Sequence, residues 1–345
     1  MPLYSRLKTL RDREERLRTV EKLLLLRRQL DAQIPQKTAS DTLLLATWNI
    51  REFGNNRRTE SLHYIAEIIS RFDVVAVQEV AANKEGLNKV MSFLDGNWDC
   101  FTSVSTSGTS GGGERMAFLY DKSKIVYDKE LGDIVLPKKK LINGELQFAR
   151  TPYCVSFMAN WFKFKLITVH IHYGTPSETN PRRLAEINTI VDFLSKQAKK
   201  EDINYILLGD FNISNIGDVT MKALENKGFT VPDDIKNHPS DLGGTKHYDQ
   251  IAFNLNQDVR MTLFSKDKQK SGAFNFTESI YTPEDMETYQ QYFSEKNTKG
   301  KTAKEIETYY LSTWRTFQIS DHLPLWVELK IDFSDQYLEK IRDKQ

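Results

Sequence analysis

Short apolar runs alternate along most of this chain with stretches whose apolar residues recur at helical spacing. The runs predict strands at 43–48 (LLLATW), 73–78 (DVVAVQ), 115–120 (RMAFLY), 153–158 (YCVSFM), 164–170 (FKLITVH), 204–209 (NYILLG), 248–253 (YDQIAF), 259–264 and 324–331 (PLWVELKI). The helical spacing predicts helices over 59–71, 84–94, 181–200, 217–227 and 302–312. The helix from 181 has a defined start, with Asn180 as its cap and Pro181, whose fixed φ suits the first turn. Several strand runs are apolar almost throughout. Such strands are buried on both faces, which implies sheets held between helices.

Residues 3–33 contain no Gly or Pro, and Leu7, Leu10, Leu17, Val20, Leu24 and Leu30 fall near helical intervals, so one helix is expected. Up to Leu30 it carries nine Lys/Arg against four Asp/Glu. This suits a charged arm packed on the body or on a second copy, with contact to nucleic acid as the alternative. A membrane-surface role would want a more continuous apolar face. Residues 34–41 read as a linker. The expected organisation is a basic arm (1–41), a main domain (42–331) with a polar insertion (265–318), and a tail (332–345). The Gly/Ser-rich stretch 102–113 (TSVSTSGTSGGG) reads as a mobile loop.

With 345 residues the chain has room for one large domain or two modest ones. Hydrophobic residues at 39% and charged residues at 28% exclude a membrane-embedded or disordered protein on composition. The 48 basic and 47 acidic side chains leave no global field to hold DNA or an anionic membrane, so anion binding must come from local clusters. The apolar run Leu23–Leu26 is too short to span a bilayer. The charged first twenty residues do not read as a secretion signal. Two cysteines, Cys100 and Cys154, exclude a disulfide scaffold and fit a reducing compartment, with a single bridge between them as the minor alternative. A cytoplasmic location is the expectation.

Each apolar run stops at a side chain able to do chemistry. LLLATW ends in Asn49, DVVAVQ in Glu79, FKLITV in His170, and NYILLG in Asp210 with Asn212 close behind. YDQIAF carries Asp249 near its start, and the last strand follows Ser320, Asp321 and His322. Singly, most of these read as turn chemistry, because Asp and Asn bond their own backbone. Glu79 is harder to dismiss, since a carboxylate ending a buried strand must be paired or bind a metal. Taken together they predict a site at the strand ends of a layered α/β fold, where loops present polar groups over a rigid sheet.

The runs TWNIREFG (47–54), VVAVQEV (74–80), ERMAFLY (114–120), LITVH (166–170), LLGDFN (207–212), YDQIAF (248–253) and SDHLPLWVEL (320–329) resemble an ordered motif series. It is that of the endonuclease/exonuclease/phosphatase superfamily, and within it most closely that of the deoxyribonuclease I branch. The resemblance covers roughly Thr42 to Ile331. The arm, the 265–318 insertion and the Gly/Ser stretch before Glu114 lie outside it. It implies a four-layered α/β sandwich of two mixed sheets packed face to face with helices outside, here with an extra N-terminal helix.

The resemblance also implies a Mg²⁺-dependent phosphoric ester hydrolase, with Mn²⁺ as a substitute. Phosphoryl transfer needs charge neutralisation, an oriented water and a proton for the leaving oxygen. Glu79 is the expected metal ligand, with Asn49 and Asp321 completing the shell directly or through water. Asp210 would orient or activate water, and Asn212 would hold a phosphate oxygen. His170 and His322 would form the acid/base pair or the pair that stabilises the transition state. The family pattern supplies each with an orienting carboxylate, Glu114 for His170 and Asp249 for His322. Arg150 matches the family's phosphate-contacting arginine. Arg182 and Arg183 sit in a first helical turn, where they oppose the helix dipole. That placement suggests either a nearby anion or a solvated pair.

A DNA endonuclease is the leading expectation. The alternative is a phosphatase or phosphodiesterase on phosphoinositide, sphingomyelin or nucleotide substrates, which the scaffold alone does not separate. The aromatic residues of the insertion would stack on bases, touch lipid, or pack the insertion itself. A non-catalytic binding protein is disfavoured, because every expected site position holds a competent residue. The expected partners are DNA as substrate and a second copy or other protein through helix 3–33.

Overall fold

The computed structural model describes residues 1–105, 113–174, 180–201, 203–255 and 270–343. Most of the Gly/Ser stretch and the expected strand at 259–264 lie outside these residues. Among the described residues eleven strands occur in chain order: β1 (Thr42–Phe53), β2 (Val74–Val80), β3 (Trp98–Thr102), β4 (Arg115–Asp121), β5 (Val126–Asp133), β6 (Tyr153–Ala159), β7 (Phe162–His170), β8 (Asn204–Asp210), β9 (Asp249–Asn254), β10 (Lys270–Ala273) and β11 (Leu325–Lys330). They form a six-stranded sheet in the order β10-β11-β1-β2-β4-β3 and a five-stranded sheet in the order β5-β6-β7-β8-β9. Strands β3, β5 and β10 are additions to the sequence expectation. Helices α1 (Arg13–Gln33), α2 (Thr59–Ile69), α3 (Glu85–Met91), α4 (Pro181–Glu201) and α5 (Val219–Leu224) flank the sheets.

Period-two alternation explains the layering. On β1, Leu43 and Leu45 enter the core between the sheets, while Leu44, Ala46 and Trp48 enter a second core beneath the helices. On β2, Val74 and Ala76 take the first side, and Val75 and Val77 the second. Both strands are therefore apolar throughout, as fully covered strands require. Helix α4 covers the far face of the five-stranded sheet through Ile187, Ile190, Val191 and Leu194. The result is the expected four-layered sandwich.

The N-terminal segment is two elements rather than one helix. A 3-10 turn spans Tyr4–Thr9, and α1 restarts behind Asp12, whose side chain accepts from the Glu14 N–H. The break changes which leucines face inward. Leu23, Leu26 and Leu30 are buried, whereas Leu17 and Leu24 are each 51% exposed. The buried carboxylates of α2 select this face: Glu60 pairs with Arg18 at 3.0 Å and Glu67 with Arg27 at 2.9 Å. The inward leucines each stabilise the contact by about 1.5–3 kcal/mol. Beyond them Lys22 pairs with Asp285 (2.6 Å), and Gln29 donates to the Asn275 carbonyl (2.8 Å). These last contacts join the arm to the insertion. Of the insertion's aromatics, Phe274, Phe276, Tyr281, Tyr289, Tyr310 and Trp314 are buried. They pack the insertion onto the second core.

Cys100 and Cys154 are both free thiols, and they lie on different sheets. Among the described residues no helix is long and apolar enough to cross a membrane.

Candidate active site

The topology gathers the polar strand ends at one edge of the sandwich. Strands β1 and β2 are parallel, so Asn49 and Glu79 leave the six-stranded sheet on the same side. Strands β4 and β11 run antiparallel to these and so begin there, which brings in Glu114 and His322. In the second sheet His170 of β7 is in register with Asp210 of β8, and Asp210 with Asp249 of β9. Beneath the site, the buried Gln78 donates across the gap to Thr168 at 2.8 Å and ties the two sheets together.

Asp210 is the centre of the arrangement. Its Oδ1 accepts from the Asn212 N–H at 2.8 Å, and its Oδ2 accepts from the Asn49 amide at 3.0 Å. Two imidazoles converge on Oδ2: His170 Nε2 at 3.5 Å and His322 Nε2 at 3.9 Å. Each ring is held from behind by a carboxylate. His170 Nδ1 lies 3.1 Å from Glu114, and His322 Nδ1 lies 2.7 Å from Asp249. Glu114 also pairs with Arg150. Gly209 makes the close approach of β8 to β7 feasible. Its φ is +134°, and a Cβ there would fall 2.1 Å from the Val169 carbonyl oxygen.

Burial and charge compete at these groups. Burial pushes the pKa of His170 down, but the hydrogen bond and charge of Glu114 outweigh it and the net shift is upward. Burial likewise opposes the protonated His322, yet Asp249 and then Asp210 raise it well above the ordinary histidine value. Asp249 is itself raised, by burial first and against the pull of His322. The two groups therefore titrate as a pair, in which His322 keeps its proton more tightly than an ordinary histidine. At Glu114, burial raises the carboxyl, but His170 and Arg150 bring it below its ordinary value.

Glu79 sits at the front of the cleft with φ +60°, a backbone region that a non-glycine residue occupies at a cost. Its carboxylate accepts from the Asn49 amide (3.1 Å) and the Glu52 N–H (2.8 Å). The other face of that amide, Asn49 Oδ1, is buried and has no hydrogen-bond partner among the described residues. An unpartnered carbonyl oxygen beside a carboxylate is a donor set that fits a hard divalent cation. Glu79, Glu114 and His170 also each offer a ligand atom within 4.8 Å of one another. Asp321 lines the same cleft, with a side chain 46% exposed and 3.7 Å from Arg51.

The cleft has a volume of about 400 Å³ and is also lined by Arg51, Glu52, Tyr173 and Tyr248, which sequence reasoning passed over. Arg51 and Tyr248 lie within quoted motifs, but neither ends an apolar run. The Arg51 guanidinium rests 3.9 Å over the Phe317 ring and donates to Thr316 at 2.7 Å, so the end of the insertion positions it. Arg57 is a second omission. It is buried, and its guanidinium donates to the carbonyls of Glu52 (2.8 Å), Arg51 and Ile319 (3.4 Å). Burial pushes its pKa down to about 10. Ser320 adds a second stitch, donating to the Asn49 carbonyl (2.6 Å) and accepting from the N–H groups of Arg51 (3.1 Å) and His322 (3.0 Å).

Ten of the twelve expected site residues are thus brought together. Arg182 and Arg183 do not line the cleft. Arg182 pairs with the buried Glu186 at 3.2 Å, and the buried Arg183 donates to the His172 (3.3 Å) and Tyr173 carbonyls.

A profile of the Endonuclease/Exonuclease/phosphatase family matches residues 46–285. The chain belongs to that family. Among curated proteins, Deoxyribonuclease-1 of Bos taurus is 29% identical over 179 residues, which is 50% of this chain and 61% of that protein. Deoxyribonuclease-1 of Homo sapiens is 28% identical over 182 residues, again 50% of this chain and 61% of that protein. The chain thus spans about three fifths of the relatives it matches. Among solved structures, the mannosyl-6-phosphatase of Bacteroides thetaiotaomicron aligns with a TM-score of 0.53 at 15% identity, covering 83% of this chain and 99% of that one. The human Nocturnin catalytic domain aligns with a TM-score of 0.52 at 14% identity, covering 85% and 96%. At these identities the structures establish a shared family fold.

Proposed function

We propose that the protein is a metal-dependent phosphodiesterase, acting as an endonuclease on DNA. One observation carries the reading: two histidine–carboxylate pairs face each other across Asp210, each with Nε2 directed at the same carboxylate oxygen. The resemblance to the deoxyribonucleases favours DNA over other phosphodiesters.

Glu79 and Asn49 would hold Mg²⁺, with Asp321 within reach through water. Bound there, the ion would neutralise charge on the phosphoryl oxygens. Asp210 orients a water for attack on phosphorus and draws its proton. Asn212, whose own amide is fixed to the Ile171 carbonyl at 2.9 Å, fronts a phosphoryl oxygen. His322, kept protonated by Asp249, places a positive charge and a donor at Nε2. His170 does the same from the opposite side with Glu114 behind it. Such donors stabilise the charge developing on the phosphate and supply the leaving oxygen with a proton. Arg150 and Arg51 add cationic contacts to the phosphate.

Digestion of supercoiled plasmid with Mg²⁺ or Mn²⁺, against EDTA and a His170→Ala control, tests this. Nicking that needs metal and disappears in the variant is expected. A folded protein that cuts nothing would refute the nuclease reading and turn attention to phosphoinositides and small phosphodiesters.

A further inference from the structure

A second cavity, of about 530 Å³, adjoins the catalytic cleft, and the two share Glu52, Glu79 and Arg150. Beyond that shared wall this annex is lined by Asn55, Asn56, Ala81, Ala82 and Asn83. Its character differs from the cleft. The cleft presents Arg51 and Arg150 to a phosphate, whereas the one cation among the described residues lining the annex is Arg150, which Glu114 holds. Glu52 is exposed on the shared wall, and Glu85 stands behind Asn55 as its amide's acceptor. Arg115, behind Ala82, donates to the carbonyls of Ala82 (3.0 Å) and Ser103 (2.8 Å).

A second phosphate in the annex would face Glu52 and Glu114, and the one cation lining it among the described residues, Arg150, is shared with the cleft and already placed against the scissile phosphate, so the field selects against continuing a phosphate backbone through it. Asn55 spends its amide N–H on the Glu85 carboxylate and Asn83 its carbonyl on the Glu85 N–H. That leaves the Asn55 carbonyl, the Asn83 amide nitrogen and the Asn56 amide for the polar edge of a ring, and two alanine methyls offer an apolar surface to its face. The volume lies within the range of small-molecule sites. We propose that the annex receives an uncharged, hydrogen-bonding ring joined to the scissile phosphate, and so selects substrates whose ring stands free of a base stack. The inference rests on the phosphodiesterase reading above. Such a ring comes either from the nucleoside of an unpaired strand or from a sugar phosphate. A nucleoside inside a duplex would first have to leave its stack, which disfavours duplex substrates.

The test compares kcat/KM for one oligonucleotide as a single strand and as a blunt duplex, with methyl 4-nitrophenyl phosphate and a hexose 6-phosphate alongside. The single strand is expected to be favoured by about tenfold or more. Ala81→Trp fills the annex, and Asn55→Leu with Asn83→Leu removes its amides. Either change should bring the ratio of single strand to duplex towards one, through a higher KM for the single strand. If the Trp variant fails to fold, the double Leu variant decides. Equal cleavage of both strands by the wild type, or a ratio that neither variant moves, would overturn the proposal. Preference for the hexose phosphate, a monoester, would support the annex with a sugar as its occupant while overturning the phosphodiesterase reading in favour of a phosphomonoesterase. If the wild type hydrolyses none of the esters, the phosphodiesterase reading fails instead. The annex is then judged by calorimetric titration with a nucleoside 5′-monophosphate: binding lost in the double Leu variant supports it, and no binding overturns it.

Discussion

Replacing Asp249 with Asn isolates what the buried carboxylate does for His322. Asp249 is fully buried, and its Oδ2 lies 2.7 Å from His322 Nδ1. The substitution keeps the shape of the side chain but removes its charge. An amide nitrogen turned towards Nδ1 would also force the ring's remaining proton onto Nε2, the wrong tautomer for a ring held in both protonation states. At a charge separation of about 4 Å and an effective dielectric of about 20, the pair is worth about 4 kcal/mol. If the imidazolium is needed in the transition state, that energy corresponds to a loss of about a thousandfold in kcat. The assay is turnover of an oligonucleotide at saturating Mg²⁺ and pH 7, with circular dichroism to establish the fold. Nuclear magnetic resonance titration should show the His322 pKa falling from its raised position. The Asp249→Asn change should add little in a His322→Ala background, because a residue that acts through another contributes nothing once that partner is gone. A folded Asp249→Asn protein within tenfold of wild type, or one whose loss adds fully to that of His322→Ala, would refute the reasoning.

Four further outcomes are expected. Glu79→Gln should weaken Mn²⁺ binding by at least about tenfold in calorimetry without substrate, since it removes the carboxylate beside the unpartnered Asn49 oxygen. Arg57→Met leaves the Glu52 and Arg51 carbonyls without their donor, which should cost about 1–3 kcal/mol in urea denaturation and lower metal affinity along with it. Gly209→Ala should destabilise the fold by about 2–4 kcal/mol and depress turnover, because the added Cβ drives β8 from β7 at Asp210. His63 is buried against Phe93, and burial, with the charge of Lys89 adding to it, pushes its pKa from 6.5 down to about 4. Its stabilising contribution is therefore complete above pH 6.5 and is lost as the pH falls towards about 4, where the unfolded chain has bound a proton that the folded chain refuses. About 3 kcal/mol should disappear over that window, and His63→Phe should flatten that part of the pH–stability curve.

The strand ends were legible because β1, β2, β7 and β8 are buried on both faces, so each reads as an unbroken apolar run with an abrupt polar stop. Strand β5 lacks that signature: it is an edge strand with half of its residues exposed and none buried, and its sequence VYDKELGD shows no apolar run. Strand β10 is only four residues long. The inward face of α1 was misjudged because leucines occur on several sides of it. The choice among them is made by Glu60 and Glu67 on α2, a long-range constraint that periodicity does not contain. The same limit applies in the site. The orienting roles of Glu114 and Asp249 come from the family pattern, whereas the pairing of His170 with Asp210 and of Asp210 with Asp249 is a matter of strand register. Arg182 and Arg183 were read against the helix dipole alone, which misses a buried Glu186 one turn away. Arg57 had no legible signal, because its acceptors are backbone carbonyls that any sequence would offer.

The joint between the arm and the insertion sets a timetable for the ribosome. Gln29 reaches the Asn275 carbonyl and the Glu278 carboxylate across 246 and 249 positions of chain. At about 5–20 residues per second, α1 emerges some 12–50 s before the segment that completes its binding surface. During that interval its basic outer face and the leucines destined for burial have only α2 to rest on. Until then the partial chain carries an apolar face without its full cover, and anything that stalls translation between the two segments would prolong that exposure.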